Sequence, residues 1–277
     1  MSLRIQIRTA VSLDSPELQP YRTLRRPVDH FKEGIFVAEG EKVVRRLLSS
    51  GLHVLSLLLT EEWFGNLRND GALSKLTEST TAFVAKKELV ETIVGYNLHQ
   101  GIMAIGKVPT EQPLRERIES SPQPYFIVAL DGLVNAENVG MIVRNCAAFG
   151  VDMILVGQTS SSPYLRRAVR NSMGAVFRMP IVHSRNLSAD LMQLRALHKT
   201  SIVAAHLHDS QPIATADFRL NLCVVFGNEG DGVSPCVLDA CDMRVGIPMM
   251  NGTDSLNVAS ASAVFLHEVR RQRQVHG

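Results

Sequence analysis

Residues 125–156 read YFIVALDGLVNAENVGMIVRNCAAFGVDMILV, and this stretch decides the fold class of the chain. Residues 125–130 form an apolar run of strand length, and residues 139–149 have the apolar spacing of a helix that Gly150 would end. Residues 153–156 form a second short apolar run. Apolar strands that alternate with helices predict a parallel sheet covered by helices on both faces.

The same alternation extends outward in both directions from this stretch. On the C-terminal side, it predicts strands at 202–205, 222–226 and 244–247 and a last helix from about 257 to 273. On the N-terminal side, a smaller α/β pattern predicts strands at 35–38, 53–60, 82–85 and 101–108 and a helix at 41–50. Residues 1–20 have no assignment.

Residues 109–124 separate the two patterns and contain four of the twelve prolines, which flank a short charged stretch. This composition is typical of a linker. At 277 residues, the chain is also longer than one average domain. The sequence therefore predicts a small α/β domain at 1–108, a linker at 109–124 and a parallel-sheet domain at 125–277.

Composition excludes several classes of protein. The net charge of +2 does not by itself indicate a nucleic-acid-binding protein, so any RNA surface must come from local arginine clusters. The four cysteines lack CxxC spacing, which argues against a zinc site or a disulfide framework. His206, His208 and Asp209 could suggest a metal site, but a turn after a strand is the preferred interpretation, and no metal is predicted. No apolar run could span a bilayer and the start does not resemble a signal peptide, so we expect a cytoplasmic protein.

Three polar, glycine-bearing loops follow predicted strands, and ligands of open parallel sheets bind at such strand ends. They read GLVNAENVGMIVRN at 132–145, GNEGDGVS at 227–234 and MMNGTDSLN at 249–257. None of them contains a dinucleotide fingerprint, a phosphate loop or a nucleophile elbow. These absences argue against dehydrogenases, P-loop NTPases and α/β-hydrolases.

In this order and at these separations, the three loops resemble the three motifs of the SpoU (TrmH) family of RNA ribose 2′-O-methyltransferases. That family belongs to the SPOUT class, whose members have a deep trefoil knot. The stretch RRAVRNSMGAVFRMPIV at 166–182 is also similar to the family, so the resemblance covers nearly all of residues 125–273. Ala136 and Glu137 depart from it, because the family commonly has a proline–glycine pair there. The matching residues are Asn138, Gly140 and Arg144 in the first loop, Phe226, Gly227, Asn228, Glu229, Gly230, Gly232 and Ser234 in the second, and Ile247, Pro248, Met249, Ser255, Leu256, Asn257 and Val258 in the third.

The resemblance implies S-adenosylmethionine as methyl donor, a ribose 2′-hydroxyl of ribosomal or transfer RNA as acceptor, and a homodimer. It implies that the cofactor is bound by Phe226, Gly227, Asn228, Gly230, Ile247, Met249, Leu256 and Asn257. It implies catalytic roles for Asn138, Arg144, Glu229, Ser255 and Asn257.

The counterpart of Arg144 activates the hydroxyl in the family. Lowering the pKa of a guanidinium from its ordinary, strongly basic value to about 7 would cost on the order of 8 kcal/mol. We therefore prefer a charged Arg144 that orients the ribose and stabilises the emerging oxyanion.

The N-terminal part is similar to a small substrate-binding domain often fused to these enzymes, akin to ribosomal proteins that hold bent RNA. The stretches FVAEGEKVVRRLLSSG at 36–51 and HQGIMAIGK at 99–107 carry this likeness. Phosphate contacts position RNA without reading its sequence, and arginines are suited to make them. The predicted RNA-binding residues are Arg45, Arg46, Arg166, Arg167 and Arg170.

Structural interpretations remain open beside these roles. Asn138, Ser255 and Asn257 could cap helices, Arg144 could form a buried ion pair, and Glu229 could be part of a solvated turn. The RNA-binding arginines could form a solvated surface, and the arginines at 270–273 could be a cationic helix C-terminus. Two functional alternatives also remain: a family member that only binds RNA, and a SPOUT methyltransferase that modifies a base nitrogen. The SLN and FGNEG stretches favour the ribose class.

Overall fold

The computed structural model describes residues 4–24, 26–94 and 101–274, which form two compact units. His99 and Gln100 of the HQGIMAIGK stretch lie outside the described residues. The first unit extends to Thr110 and also contains Tyr164–Arg178. The second unit consists of Glu111–Pro163 and of the chain from Met179 onward. Residues 164–178 therefore group with the N-terminal part of the chain, although the sequence places them in the domain at 125–277.

The first unit is built on a five-stranded mixed sheet in the order β1-β4-β3-β5-β2, in which β5 is antiparallel to both of its neighbours. β1 lies within the N-terminal segment that has no assignment from the sequence, and it pairs with β4 in parallel. The strands are β1 Gln6–Ala10, β2 Ile35–Glu39, β3 Val54–Thr60, β4 Thr81–Ala85 and β5 Ile102–Lys107. The helices before the second unit are α1 Gln19–Arg22, α2 Pro27–Glu33, α3 Glu41–Leu48, α4 Glu61–Asn69 and α5 Lys87–Val94.

The second unit contains a seven-stranded sheet in which every pairing is parallel, which confirms the predicted α/β fold class. Its strands are β6 Phe126–Leu130, β7 Met153–Val156, β8 Ile181–His183, β9 Ser201–Ala205, β10 Gln211–Pro212, β11 Leu222–Phe226 and β12 Met243–Gly246. Its helices are α6 Leu114–Glu119, α7 Ala136–Phe149, α9 Leu187–His198, α10 Pro235–Leu238 and α11 Val258–Gln274. The remaining helix, α8 Arg166–Asn171, belongs to the first unit.

The strand order β10-β12-β9-β11-β6-β7-β8 reverses direction between β6 and β11. From β6 the chain proceeds through β7 to β8 at one edge, and β9 then starts the other half of the sheet. β11 returns between β9 and β6, so Phe226 lies in register with Leu130. In open parallel sheets, ligands bind outside the carboxyl ends of the strands at such a reversal. The loops after β6 and β11 begin at this point.

Both faces of the central strands are buried, which explains why β6 and β11 are continuous apolar runs. Ile127 and Val225 belong to a core cluster that includes Leu191 of α9. On the other face, the Phe265 ring of α11 meets the Phe226 ring edge-on at a centroid distance of 5.7 Å. Burial raises the pKa of the Cys223 thiol, in keeping with a reduced core cysteine.

Arg273 fastens the end of α11 to the N-terminal ends of β6 and β11. Its guanidinium lies 5.4 Å from the Phe126 ring centroid, and burial lowers its pKa. The sequence had suggested a cationic helix C-terminus here, but Arg273 contacts carbonyls outside its own helix. It donates to the backbone carbonyls of Pro124, Tyr125, Phe218 and Leu220 at 2.6–3.1 Å.

Two further predicted segments have a defined structure. Residues 114–119, inside the predicted linker, form α6, and Ile118 enters the core of the second unit. His206 and His208 belong to a local turn, because His206 Nδ1 lies 2.7 Å from the His208 carbonyl oxygen. Among the described residues, no group of three or more metal-ligating side chains occurs. None of the helices in the described part of the chain is long and apolar enough to cross a membrane.

Candidate active site

The first loop follows β6 and leads into α7, which begins at Ala136 rather than at residue 139 as predicted. Asn135 caps the helix, since its Oδ1 accepts from the backbone N–H groups of Glu137 and Asn138 at 2.8 and 3.4 Å. The interpretation of Asn138 as the helix cap is therefore wrong. Asn138 lies in the first turn of α7 and is only 5% exposed, so its side chain is available to the neighbouring loops.

A chain of side-chain hydrogen bonds joins the three motif loops through Asn138. Its Nδ2 donates to Glu229 Oε1 of the second loop at 2.6 Å. Its Oδ1 accepts from Asn257 Nδ2 of the third loop at 3.2 Å. These residues are 91 and 119 positions away from Asn138 in the sequence. The structure thus brings together three of the five predicted catalytic residues.

Asn257 also caps α11, because its Oδ1 accepts from the Ala259 N–H at 2.9 Å. Asn257 therefore both caps α11 and contacts the site through Asn138, and the sequence analysis had left both roles open. Ser255 is exposed and makes no hydrogen bond within the described parts of the chain.

The second loop is a tight turn stabilised by Asn228. Its Nδ2 donates to the Gly132 carbonyl at 2.7 Å, and its Oδ1 accepts from the Gly230 N–H at 2.8 Å. Gly227 is buried, and a Cβ added there would lie 2.2 Å from the main chain of Gly232 and Val233. Only glycine permits this close backbone approach without a shift of the loop. Gly230 is exposed, whereas Phe226 is buried at the end of β11.

Sequence reasoning missed two residues that support these loops. Asp131, at the end of β6, is 7% exposed and accepts from the Ser234 N–H at 2.7 Å, so it joins the first and second loops. Asn145 Nδ2 donates to the Ala259 carbonyl at 2.9 Å and to Ser262 Oγ at 3.0 Å, so it joins α7 to α11. The sequence contained a signal for each residue: Asp131 is a carboxylate directly after an apolar strand, and Asn145 is an amide within an apolar helix.

Residues 247–257, which include the third loop, contain no regular secondary structure. Ile247 and Met249 are half-buried, and Leu256 is 40% exposed. The backbone N–H groups of Met249 and Leu256 have no hydrogen-bond acceptor among the described residues. The loop therefore combines apolar side chains with unpaired backbone donors.

Arg144 lies apart from the cluster formed by Glu229, Asn138 and Asn257. Six residues of α-helix place it about 120° around the axis of α7 from Asn138. It is exposed and makes no ion pair or hydrogen bond with any residue that the structure describes. The interpretation of Arg144 as part of a buried ion pair is wrong. Met141 and Ala148 lie next to it on the same exposed face of the helix.

The five predicted RNA-binding arginines all belong to the first unit. They differ in exposure and in their partners. Arg167 and Arg170 are exposed on α8. Within the described ranges, Arg170 has no ion pair. The other three have partners: Arg45 pairs with Glu41 at 3.0 Å and Asp70 at 2.5 Å, Arg46 donates to the Met173 carbonyl, and Arg166 pairs with Glu39 at 2.7 Å.

Comparison with known proteins adds a family match in the C-terminal half of the chain and relatives along most of its length. Residues 125–267, which include all three loops, match the model of the SpoU rRNA methylase family. The chain is 32% identical over 268 residues to an uncharacterised tRNA/rRNA methyltransferase of Mycobacterium tuberculosis. The aligned region covers 93% of this chain and 90% of that protein. It is 29% identical to the 23S rRNA (guanosine-2′-O-)-methyltransferase RlmB of Acinetobacter baylyi, over 74% of this chain and 86% of that protein.

Solved structures are similar along nearly the whole chain. The crystal structure of the AdoMet-bound rRNA methyltransferase from Sinorhizobium meliloti aligns with a TM-score of 0.81 and 26% identity, and covers 96% of this chain and 98% of that one. The SpoU methyltransferase AviRb from Streptomyces viridochromogenes aligns with a TM-score of 0.80 over 95% of this chain and 99% of that one. At 22% identity, AviRb supports the fold alone.

Proposed function

Since the chain belongs to the SpoU rRNA methylase family and is an RNA methyltransferase, we propose that it methylates a ribose 2′-hydroxyl of ribosomal or transfer RNA. The observation that carries this proposal is the hydrogen-bond chain from Glu229 through Asn138 to Asn257, which joins the three motif loops. The similarity to RlmB, whose name specifies guanosine 2′-O-methylation, supports ribose as the acceptor. The proposed substrates imply a cytoplasmic location for the enzyme.

The cofactor is S-adenosylmethionine, as the sequence predicted. The family and the AdoMet-bound structure of the S. meliloti enzyme, at 26% identity, support this. The second and third loops fit such a group. Met249 and Leu256 offer unpaired backbone N–H groups beside their apolar side chains, which suits the polar edges and flat faces of adenosine. Gly227 keeps the second loop compact, and Ile247, Phe226, Asn228, Gly230 and Asn257 complete the proposed cofactor site.

When bound, S-adenosylmethionine supplies an electrophilic methyl group on a sulfonium centre. A ribose hydroxyl is a poor nucleophile, and it must lose its proton to solvent as its oxygen accepts the methyl group. Protein groups must therefore stabilise the negative charge that develops on this oxygen. Arg144, exposed and permanently charged, suits this role. Asn138 is held on both sides, by Glu229 and by Asn257, and a fixed amide can orient the sugar. Ser255 lies beside Leu256 on the exposed wall of the third loop.

We further propose that the enzyme is a homodimer in which each active site is completed near the interface. Arg144 points about 120° away from Asn138, so within one copy the two do not share a face of α7. α7 and α11 pack side by side, and each carries a partly exposed apolar side chain, Met141 at 36% and Val264 at 40%. Leu256, in the loop just before α11, is also 40% exposed. Exposed apolar side chains grouped on neighbouring helices are typical of an interaction surface. The deep trefoil knot expected of the family is part of the same proposal, and the insertion of β11 between β9 and β6 is compatible with it.

The first unit is proposed to hold the RNA. All five predicted arginines belong to it, and Arg170 is exposed without an ion pair among the described residues. A phosphate contact by Arg170 would add about one unit to the slope of log binding constant against log salt. Measuring RNA affinity of Arg170→Ala from low to moderate salt tests this. An unchanged slope would contradict a contact by this side chain.

The experiment that tests ribose methylation uses RNA from a strain that lacks the gene. The full-length protein is incubated with this RNA and S-adenosylmethionine labelled in the methyl group, and the RNA is then hydrolysed in alkali. A 2′-O-methyl group blocks cleavage at its own nucleotide, so we expect the label in alkali-resistant dinucleotides. Label in mononucleotides would indicate a base nitrogen instead. No labelling, with RNA binding intact, would indicate a family member that only binds RNA.

A mixing experiment tests the shared active site. Arg144→Ala and Asn138→Ala are each expected to be inactive as pure proteins. If Arg144 acts on the site of the other copy, a mixture of exchanging dimers should regain about a quarter of wild-type activity, since half the dimers carry one intact site. Light scattering checks that both variants are dimeric. An active monomer, or no recovery from dimers shown to exchange, would contradict the proposal.

A further inference from the structure

Residues 164–178, here called the α8 arm, leave the sheet of the second unit after β7 and return to it before β8. Along this length they pack with the first unit, mainly against β2. The arm contains four arginines and no aspartate or glutamate, so it is strongly cationic. Such a segment repels itself and attracts a polyanion, and its position therefore has to be fixed by contacts from elsewhere in the unit.

Aromatic packing anchors both ends of the arm on Phe36 of β2. The Phe36 ring lies 5.6 Å from Tyr164 at the start of the arm and 5.2 Å from Phe177 near its end, measured between ring centroids. Phe36 is only 1% exposed. Gly106 of β5 makes room for it, because a Cβ at that position would lie 2.3 Å from Phe36 Cζ.

Two polar contacts fix the part of the arm between these ends. Arg166 Nε donates to Glu39 Oε2 at 2.9 Å, and Arg166 Nη2 forms an ion pair with the same oxygen at 2.7 Å. The two side chains are 23% and 14% exposed, so this ion pair is largely shielded from water. Arg46 of α3 donates to the Met173 carbonyl at the turn after α8, where Met173 and Gly174 both have positive φ.

We propose that Glu39 and Arg166 are positioning residues, which hold the α8 arm so that its other arginines meet the RNA. This rests on the proposed RNA substrate. The pair uses the charge of Arg166 inside the unit, while Arg170 and Arg178 of the arm remain exposed. Arg166, predicted as an RNA contact, is thereby assigned to anchoring the arm, and Glu39 joins the residues that determine how RNA is held.

Opposite charge reversals distinguish anchoring from direct phosphate contact. Glu39→Arg adds positive charge, so simple electrostatics predicts tighter RNA binding, whereas Arg166→Glu predicts weaker binding. Anchoring predicts that both variants weaken binding, because each leaves two like charges facing each other under the arm. The double variant Glu39→Arg with Arg166→Glu restores the pair with its charges exchanged, and it should recover most of the affinity.

The test measures these three variants as full-length proteins. We expect each single variant to raise the KM for RNA by about tenfold, with kcat and cofactor affinity close to wild type, and the double variant to return to within about threefold. Glu17→Arg, which breaks the exposed Arg8–Glu17 pair of the same unit, is the matched control and should leave the KM unchanged. Tighter RNA binding by Glu39→Arg, or no recovery in the double variant, would overturn the proposal. So would a fall in cofactor affinity that parallels the change in KM.

Limited digestion with trypsin separates failure of this proposal from failure of the proposed function. Cleavage after Arg167 and Arg170 reports the position of the arm without RNA or cofactor. We expect faster cleavage in both single variants and wild-type cleavage in the double variant. If the wild-type protein does not methylate RNA but digestion follows this pattern, the proposed function fails and the anchoring stands. Equal cleavage in all variants would contradict the anchoring itself.

Discussion

Replacing Asn138 with aspartate changes one atom at the centre of the three loops, because the amide nitrogen becomes an oxygen. Asn138 Nδ2 donates to Glu229 Oε1 at 2.6 Å, so Asn138→Asp sets two carboxylates against each other. Loss of a hydrogen bond to a charged group costs about 2 kcal/mol. Repulsion between charges about 4 Å apart adds about 1 kcal/mol with the screening of water, which applies because Glu229 is exposed. We expect the free energy of unfolding to fall by about 3 kcal/mol at pH 8.

The loss should depend on pH with a definite sign. Burial and the facing Glu229 carboxylate raise the pKa of the introduced aspartate carboxyl above its unfolded value of about 3.9. When protonated, this carboxyl donates to Glu229 as the amide does, so the variant should approach wild type near pH 4. Its relative stability should then fall as pH rises through the raised pKa, by at most about 1.4 kcal/mol per pH unit. At pH 7, protonation limits the penalty to about 4 kcal/mol.

Urea unfolding followed by circular dichroism from pH 4.5 to 8 measures this difference. The double variant Asn138→Asp with Glu229→Gln exchanges donor and acceptor, because the introduced glutamine amide can donate to the introduced carboxylate, and it should recover most of the loss. Asn145→Asp is the matched control. It removes the hydrogen bonds that the Asn145 amide donates between α7 and α11, but the introduced carboxylate does not face Glu229. Glu229→Gln should not rescue it. A variant as stable as wild type at pH 8, or an exchange that recovers nothing, would refute this reasoning.

Three further predictions concern single residues. Arg144→Ala should lower kcat by about 100- to 1,000-fold while cofactor affinity and melting temperature stay near wild type, and Arg144→Lys should recover little of the rate; a fully active variant would remove Arg144 from the mechanism. Gly227→Ala should weaken cofactor binding in calorimetry, because its Cβ would lie 2.2 Å from the Gly232 main chain, whereas Gly65→Ala, with nothing within 4 Å of the added Cβ, should not. Arg273→Ala should lower the free energy of unfolding by about 3 kcal/mol, since it removes a charged donor from four carbonyls, and unchanged urea unfolding would show that these bonds contribute little.

Sequence patterns predicted the longer buried strands well, but missed the exposed strands β1 and β10 and the three-residue β8, which has two buried residues. β11 was predicted with both ends correct, because every residue in it is apolar and buried. β1 was missed because its first four residues, Gln6 to Thr9, are exposed, so no apolar pattern marks this edge strand. The start of α7 was misplaced because its first turn is polar and its cap is Asn135 rather than Asn138. In such segments, local capping and strand pairing outweigh the apolar pattern.

The candidate site was predictable by residue type but not by contact. The motif resemblance selected Asn138, Glu229 and Asn257, but only the strand order brings positions so far apart in sequence into hydrogen-bond distance. The exposure of Arg144 was equally beyond the sequence, since an arginine in an apolar helix is compatible with burial or exposure. Glu39 gave no signal at all, because a carboxylate at the end of a strand does not reveal which arginine it meets.

The path of the α8 arm has a consequence for how such enzymes can be recombined. A chimera that joins residues up to Thr110 of this chain to the methyltransferase segment of a relative would leave Phe36 and Glu39 facing a foreign arm. The segment to exchange in a chimera is therefore discontinuous. Residues up to Thr110 and residues 164–178 should be exchanged together. During synthesis on the ribosome, likewise, the first unit acquires its last strip of buried surface only after β6, α7 and β7 have been made.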